Sequence, residues 1–168
     1  MKRNEKMMGV VVTATIVLAL IAPLQAGAQV LTAEQLKKAV PASYFFAGQS
    51  AAVQMRNSTG VKNAAGKLVL AGLVDTSGYS TAIAEKYQGF LITETKLTFN
   101  GATLDPGQYG FGFKDGKLLV MNVASMDLFS VASQKDDQLK HPVPLKFEKD
   151  AAGYRLYAGR NYVVVKVD

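Results

Sequence analysis

"QYGFGFKDGKLLVM", residues 108–121, alternates aromatic residues with glycine and then turns back through Asp115-Gly116. A two-residue Asp-Gly loop takes the positive-φ turn whose twist matches a β-hairpin, so it sets the register of both arms. Lys114 then faces Lys117, and Phe113, Phe111 and Tyr109 share one face with Leu118, Val120 and Asn122. On the other face Gly112 meets Leu119 and Gly110 meets Met121. Directly opposed residues stand ~4.5–5.5 Å apart, so Leu119 and Met121 are expected to lean over the glycines. The glycines thus make room for packing rather than admitting a ligand to bare backbone.

The segments on either side of this hairpin also read as strands. Ala51 to Arg56 alternates, with Val53 and Met55 on one face and Gln54 and Arg56 on the other. Lys67 to Val74 is apolar on both faces, as an interior strand is. Phe90 to Phe99 reads as one long β-branched strand that stops at Asn100-Gly101. Asp105-Pro106-Gly107 predicts a type II turn, since proline pre-sets position i+1 and glycine accepts positive φ at i+2. Val143 to Glu148 contains Pro144, which cannot donate to a ladder, so it belongs at a sheet edge. Tyr154 to Tyr157 and Tyr162 to Val167 form a closing pair around the turn Ala158-Gly159-Arg160-Asn161.

Helical signals are few. Thr32-Ala33-Glu34-Gln35 is a capping box opening a short helix over 33–40 that Pro41 ends, and a second short helix is expected over 81–88 with Gly89 as its stop. The fold class is therefore all-β: an antiparallel β-sandwich of roughly eight strands with one or two short helices. A closed β-barrel is the alternative, because a run of short strands does not distinguish closure from stacking.

Lys2, Arg3 and Lys6 precede an apolar stretch from Gly9 to Ala22, and Pro23 and Ala26-Gly27-Ala28 follow it. This is the layout of a signal peptide, predicted over 1–28 and cleaved to leave Gln29. The apolar run falls short of the ~20 residues a spanning helix needs, so no membrane association is expected after cleavage. Residues 29–168 make one β-rich domain, exported to the periplasm or beyond. Removing the leader takes Lys2, Arg3, Lys6 and Glu5, lowering the net charge from +6 to +4. That modest balance, with no dense basic block, argues against nucleic acid as a partner. The chain has no cysteine, which excludes disulfides, thiol catalysis and thiolate metal sites.

"LDPGQYGF" (104–111), following "KLTF" (96–99), and the string "GLVDTSGYSTAIAEKYQGFLITE" (72–94) resemble an uncharacterised family of exported bacterial β-rich domains. The resemblance implies a secreted β-rich domain and assigns no catalytic residue.

Gly78-Tyr79-Ser80-Thr81-Ala82 is one residue off the G-x-S-x-G nucleophile elbow. Asp127, Asp136 and Asp137 precede the single histidine, His141, so a serine hydrolase with Ser80 as nucleophile and His141 as base is one alternative. Ala82 in place of the final glycine and the absence of repeated βαβ units argue against it; Ser80 then serves as a helix N-cap. One imidazole and no spaced carboxylate loop predict no metal and no cofactor. Asn57-Ser58-Thr59 matches a glycosylation sequon, but such triplets arise by chance and its plainer reading is a polar hairpin turn. Tyr44, Phe45 and Phe46 are expected to pack the N-terminal helix onto the sheet.

The strongest binding candidate is the longest insertion between strands, which gathers Asp75, Tyr79, Ser80, Glu85 and Tyr87. Its plainer role is a cover over one end of the sandwich. These features favour a monomeric, non-enzymatic binding or interaction module for a protein, glycan or small-molecule partner. A small-ligand carrier with a barrel-like cavity is the remaining alternative.

Overall fold

The computed structural model describes residues 28–168; the predicted signal peptide at 1–28 lies almost entirely outside them. The elements run β1 (Gln29–Val30), α1 (Ala33–Ala39), β2 (Ser43–Phe46), β3 (Gln49–Lys62), β4 (Leu68–Val74), α2 (Thr81–Ala84), β5 (Gly89–Thr93) and β6 (Leu97–Phe99). They continue with β7 (Ala102–Leu104), β8 (Gly107–Lys114), β9 (Lys117–Asn122), β10 (Asp127–Ala132), β11 (Gln134–Lys135), β12 (Val143–Asp150), β13 (Gly153–Gly159) and β14 (Asn161–Val167).

All pairings are antiparallel, and they make two sheets. The first has the order β1-β3-β4-β5-β8-β9-β10, with β2 also on β3; the second has the order β12-β13-β14-β6-β7, with β11 on β14. The sheets face each other across a core that includes Val69, Leu91, Phe111 and Val120 of the first and Phe99, Phe147, Leu156 and Val165 of the second. Neither ladder closes on itself, so the molecule is an open sandwich and not the barrel entertained as the alternative. Where β3 and β12 approach, the link is a side chain: the Thr59 hydroxyl accepts the Phe147 N–H at 2.9 Å. The strands number eight and six, more than the count expected from sequence, because several of them are only two or three residues long.

The hairpin register is the one Asp115-Gly116 dictates, from Lys114 opposite Lys117 out to Tyr109 opposite Asn122. Asp115 and Gly116 have φ of 52° and 70°, the doubly positive turn that twists with the strands. What fills the space over the glycines differs from expectation. A Cβ on Gly110 would strike the ring of Phe46, and one on Gly112 would strike the backbone carbonyl of Lys86. The glycines make room for a third layer.

That layer covers the outer face of the first sheet. Tyr44 and Phe46 of β2, Tyr79 and Tyr87 of the β4–β5 connection, and Leu31 and Val40 flanking α1 bury Leu70, Val74, Phe90 and Met121. Alternation along β4 feeds both cores, with Val69 and Ala71 turned to the second sheet and Leu70 and Val74 to the outer layer. This is the physical basis of its two-sided apolarity. Phe46 is fully buried, a gain of about 1.5–3 kcal/mol relative to leaving the ring in water.

Four local expectations need correction. The strand expected over 90–99 is two strands in different sheets, β5 and β6. The Thr93 hydroxyl donates to the Thr95 carbonyl at 2.6 Å and accepts the Thr95 N–H, bending the chain between the layers. Gly107 does not take the positive φ of a type II turn; it already belongs to β8, opposite Thr93, with the Tyr109 ring folded back over it. Asn57-Ser58-Thr59 is no hairpin turn but lies inside β3, at the irregularity that carries the strand from β2 to β1. The second helix is also shorter than expected, a single turn over Thr81–Ala84.

Candidate functional site

The connection from Asp75 to Gln88 is held at both ends and at several points between. The Asp75 N–H donates to the Ala52 carbonyl at 2.9 Å, and its carboxylate accepts the Ser77 N–H at 3.0 Å. That bond holds the Asp75 carboxyl below the ordinary carboxylate range. The Tyr79 hydroxyl donates to the Gln49 carbonyl at 3.2 Å. Ser80 has the extended backbone of an N-cap before α2, but its hydroxyl caps nothing. Glu85 pairs with Lys114 at 2.9 Å, and Lys86 reaches Asp127 at 2.6 Å and the Ser125 carbonyl at 3.1 Å. At the far end the Gln88 amide donates to the Phe113 carbonyl and accepts the Phe113 N–H, extending the ladder beside β8.

The aromatic side chains of the connection point inward. The Tyr87 ring stacks on Phe46 with centroids 3.8 Å apart and meets Tyr79 edge-on at 5.2 Å. Burial pushes the hydroxyls of Tyr44, Tyr79 and Tyr87 above the ordinary tyrosine value, so all three stay neutral. Of the five binding candidates, Tyr79 and Tyr87 are therefore core residues, while Asp75, Ser80 and Glu85 are exposed on the outer surface.

A cleft of about 430 Å³ opens where this connection meets the end of the sandwich. Thr76, Ala84, Tyr87 and Gln88 form one wall, and Gln54, Leu73, Val74 and Phe113 continue it along the first sheet. Pro144 of β12 and the turn Ala158, Gly159 and Asn161 form the wall from the second sheet. Tyr87 alone of the five candidates takes part. None of the lining residues carries a charged side chain. The amide groups of Gln54 and Gln88 are already bonded within the chain, Gln54 to the Val74 carbonyl and to Asn57. The Thr76 hydroxyl and the Asn161 amide remain to face a ligand beside the apolar surfaces of Leu73, Phe113 and Pro144.

The hydrolase alternative finds no assembled triad. Ser80 belongs to the layer outside the first sheet, whereas His141 is exposed in a loop held against the second sheet. That loop is fastened by the Asp136 N–H on the Arg160 carbonyl at 2.9 Å and by the Arg160 guanidinium on the carbonyls of Leu139 and Lys140. The aspartates are engaged elsewhere: Asp127 with Lys86, Asp137 with Lys135, and Asp136 as acceptor of the Tyr157 hydroxyl at 2.8 Å. Among the described residues no group of three histidine, aspartate or glutamate side chains is placed to share a metal ion, and no helix is long and apolar enough to cross a membrane.

No protein-family model, curated protein or solved structure matches this chain. Gln54, Phe113, Pro144 and Asn161 carry no signal that sequence alone could have gathered, since they stand on four separate strands or turns.

Proposed function

We propose that the chain is an exported, non-enzymatic binding domain of the β-rich kind that its 72–94 segment resembles. Its ligand is a small, uncharged, hydroxyl-bearing molecule of the sugar type, seated in the cleft between the β4–β5 connection and the β13–β14 turn. The observation that carries this reading is the cleft's lining: apolar surfaces beside a free hydroxyl and a free amide, with no charged side chain. Its volume falls in the range of small-molecule sites, ~300–1,000 Å³. A neutral polar ligand loses little on leaving water if its hydroxyls find such partners, whereas an ion would be left unpaired there. Export is supported by the basic and apolar leader pattern; among the described residues the sheet begins at Gln29, opposite Lys62.

The test is native mass spectrometry of the domain purified from the exported fraction, with Thr76→Arg as the comparison. Thr76 is partly exposed and makes no side-chain hydrogen bond, so the variant should fold as the parent does while placing a cation in the neutral cleft. The expected result is a co-purifying neutral ligand on the parent and none on the variant. A ligand retained by Thr76→Arg, or an anionic ligand, would refute the site.

A further inference from the structure

The open edges of the two sheets are not alike. In the second sheet, β12 contains Pro144, which offers no N–H, and carries Lys146, Glu148 and Lys149 at exposed positions. At the other end of that sheet β7 has only three residues. The corresponding end of the first sheet is shared by β1, of two residues, and β2, of four, both paired with β3. Proline, charge and shortness are the means by which sheets avoid pairing with other chains. The remaining edge, β10, has six residues, DLFSVA, with no proline and no lysine. Its one charged residue, Asp127, is already neutralised by Lys86 at 2.6 Å.

The hairpin register shows which backbone groups of β10 are unpaired. Lys114 and Lys117 flank a two-residue loop and form the doubly bonded pair that closes the β8–β9 hairpin. Leu118 and Val120 therefore turn their N–H and C=O toward β10, where they meet Val131 and Phe129. The Ser133 N–H on the Gly116 carbonyl at 2.8 Å continues the same alternation. Ser130 and Ala132 consequently present their backbone groups to the outside. The Asn100 amide already donates to the Ala132 carbonyl at 3.3 Å, so the outward groups left for another strand are those of Ser130 and the Ala132 N–H.

The side chains beside this edge point the same way. The described residues expose five large apolar side chains, and three of them, Val123, Met126 and Leu128, lie in β10 or in the turn leading to it. A fourth, Phe45, stands two residues from Ala47, whose N–H donates to the Val123 carbonyl at 2.8 Å. Met126 and Phe45 are 62% and 58% exposed, so the patch is solvent-facing rather than grazing the core.

We propose that β10 is a self-association edge: two copies of this chain pair their β10 strands antiparallel across a two-fold axis at Ser130, joining their first sheets into one. A second copy fits the strand for reasons of charge and register. Because Asp127 is paired within its own chain, the two strands bring no unpaired like charges together. With Ser130 opposite Ser130 of the partner copy, each N–H meets the other's carbonyl. Leu128 then stands opposite Ala132 of the second copy, a large side chain against a small one. A contact of this isologous kind uses every group twice, so a short strand suffices where a one-sided contact would be weak. The arrangement replaces the monomer expected from sequence with a concentration-dependent dimer.

Sedimentation velocity of residues 29–168 over a wide concentration range tests this. The expected result is a shift toward twice the domain mass as concentration rises, abolished in Ser130→Lys, which sets two cations against each other on the axis. A parent that stays monomeric at the highest attainable concentration overturns the proposal, and so does a Ser130→Lys variant that still dimerises. A second measurement stands apart from the folding of that variant. The chain has no cysteine, so Ser130→Cys and Thr103→Cys, the latter on the β7 edge, each introduce a single thiol. Mild oxidation should cross-link Ser130→Cys into a covalent dimer and leave Thr103→Cys largely monomeric. Equal cross-linking of the two would refute a specific β10 interface.

Discussion

Gly112→Ala probes the layer that distinguishes this sandwich. The added Cβ would overlap the Lys86 carbonyl oxygen and stand 2.9 Å from its carbonyl carbon, so the obstacle is backbone rather than a side chain that can rotate away. That backbone is not free to retreat. Lys86 is tied to Asp127 and Ser125, the Gln88 N–H donates to the Phe111 carbonyl at 2.8 Å, and the Gln88 amide clamps Phe113. Forcing extra volume into a packed site costs ~1–3 kcal/mol, and an immovable obstacle places the cost near the upper end. Replacing a strand glycine recovers about 0.5–1 kcal/mol of backbone entropy and propensity, leaving a net loss of about 2 kcal/mol. At roughly 3–4 °C per kcal/mol for a domain of this length, the melting temperature should fall by about 6–8 °C. Differential scanning calorimetry of the two proteins measures it. Leu119→Val, which trims the cross-strand neighbour, should not restore the loss, because Leu119 is not among the atoms nearest the new methyl group. Native-state hydrogen exchange should also show faster opening of amides in the 75–88 connection, with the second sheet unchanged. Recovery of stability by Leu119→Val, or a Gly112→Ala variant as stable as the parent, would refute a layer packed directly onto glycine backbone.

Thr59→Val should cost about 1–3 kcal/mol in urea unfolding, because the buried Phe147 N–H loses its acceptor, while Thr59→Ser should keep most of the stability. Tyr154→Phe is expected to leave stability unchanged or raised, since the Tyr154 hydroxyl is buried with no partner; a loss above ~1 kcal/mol would contradict that. The Tyr157 hydroxyl lowers the Asp136 carboxyl, and the Ala152 N–H followed by Arg155 lowers Asp150. Both carboxyls thus contribute stability above the unfolded value of about 4 and lose it as pH falls through their lower folded values. Asp136→Asn should therefore show a shallower acid-induced loss in melting temperature than the parent, and an identical pH profile would dismiss the link.

The features legible in the sequence are those whose physics acts within a few residues. The turn at Asp115-Gly116 is one: both residues tolerate positive φ, and the resulting loop sets every cross-strand pair of β8 and β9. The capping box is another, with the Thr32 hydroxyl accepting the Gln35 N–H and the Gln35 side chain accepting the Thr32 N–H. Pro144 placed its strand at an edge because a missing donor is a property of the residue itself. Two-sided apolarity in Leu68–Val74 likewise marked a strand covered on both faces, although not what would cover it.

The rest required the tertiary structure. Gly110 is small because of Phe46 and Gly112 because of the Lys86 backbone, partners far away in the chain that no local pattern names. The switch from β5 to β6 hides within a continuous β-branched run, since Thr93 and Thr95 are good strand residues whether the chain runs straight or bends. The inward rotation of Tyr79 and Tyr87 was equally invisible, because a tyrosine in a polar connection serves a surface or a core with the same side chain. The cleft depends on Gln54, Phe113, Pro144 and Asn161 meeting across the end of two sheets. Local conformational preference decides turns, caps and strand faces, whereas the third layer, the sheet switch and the cleft arise from contacts between segments that only folding brings together.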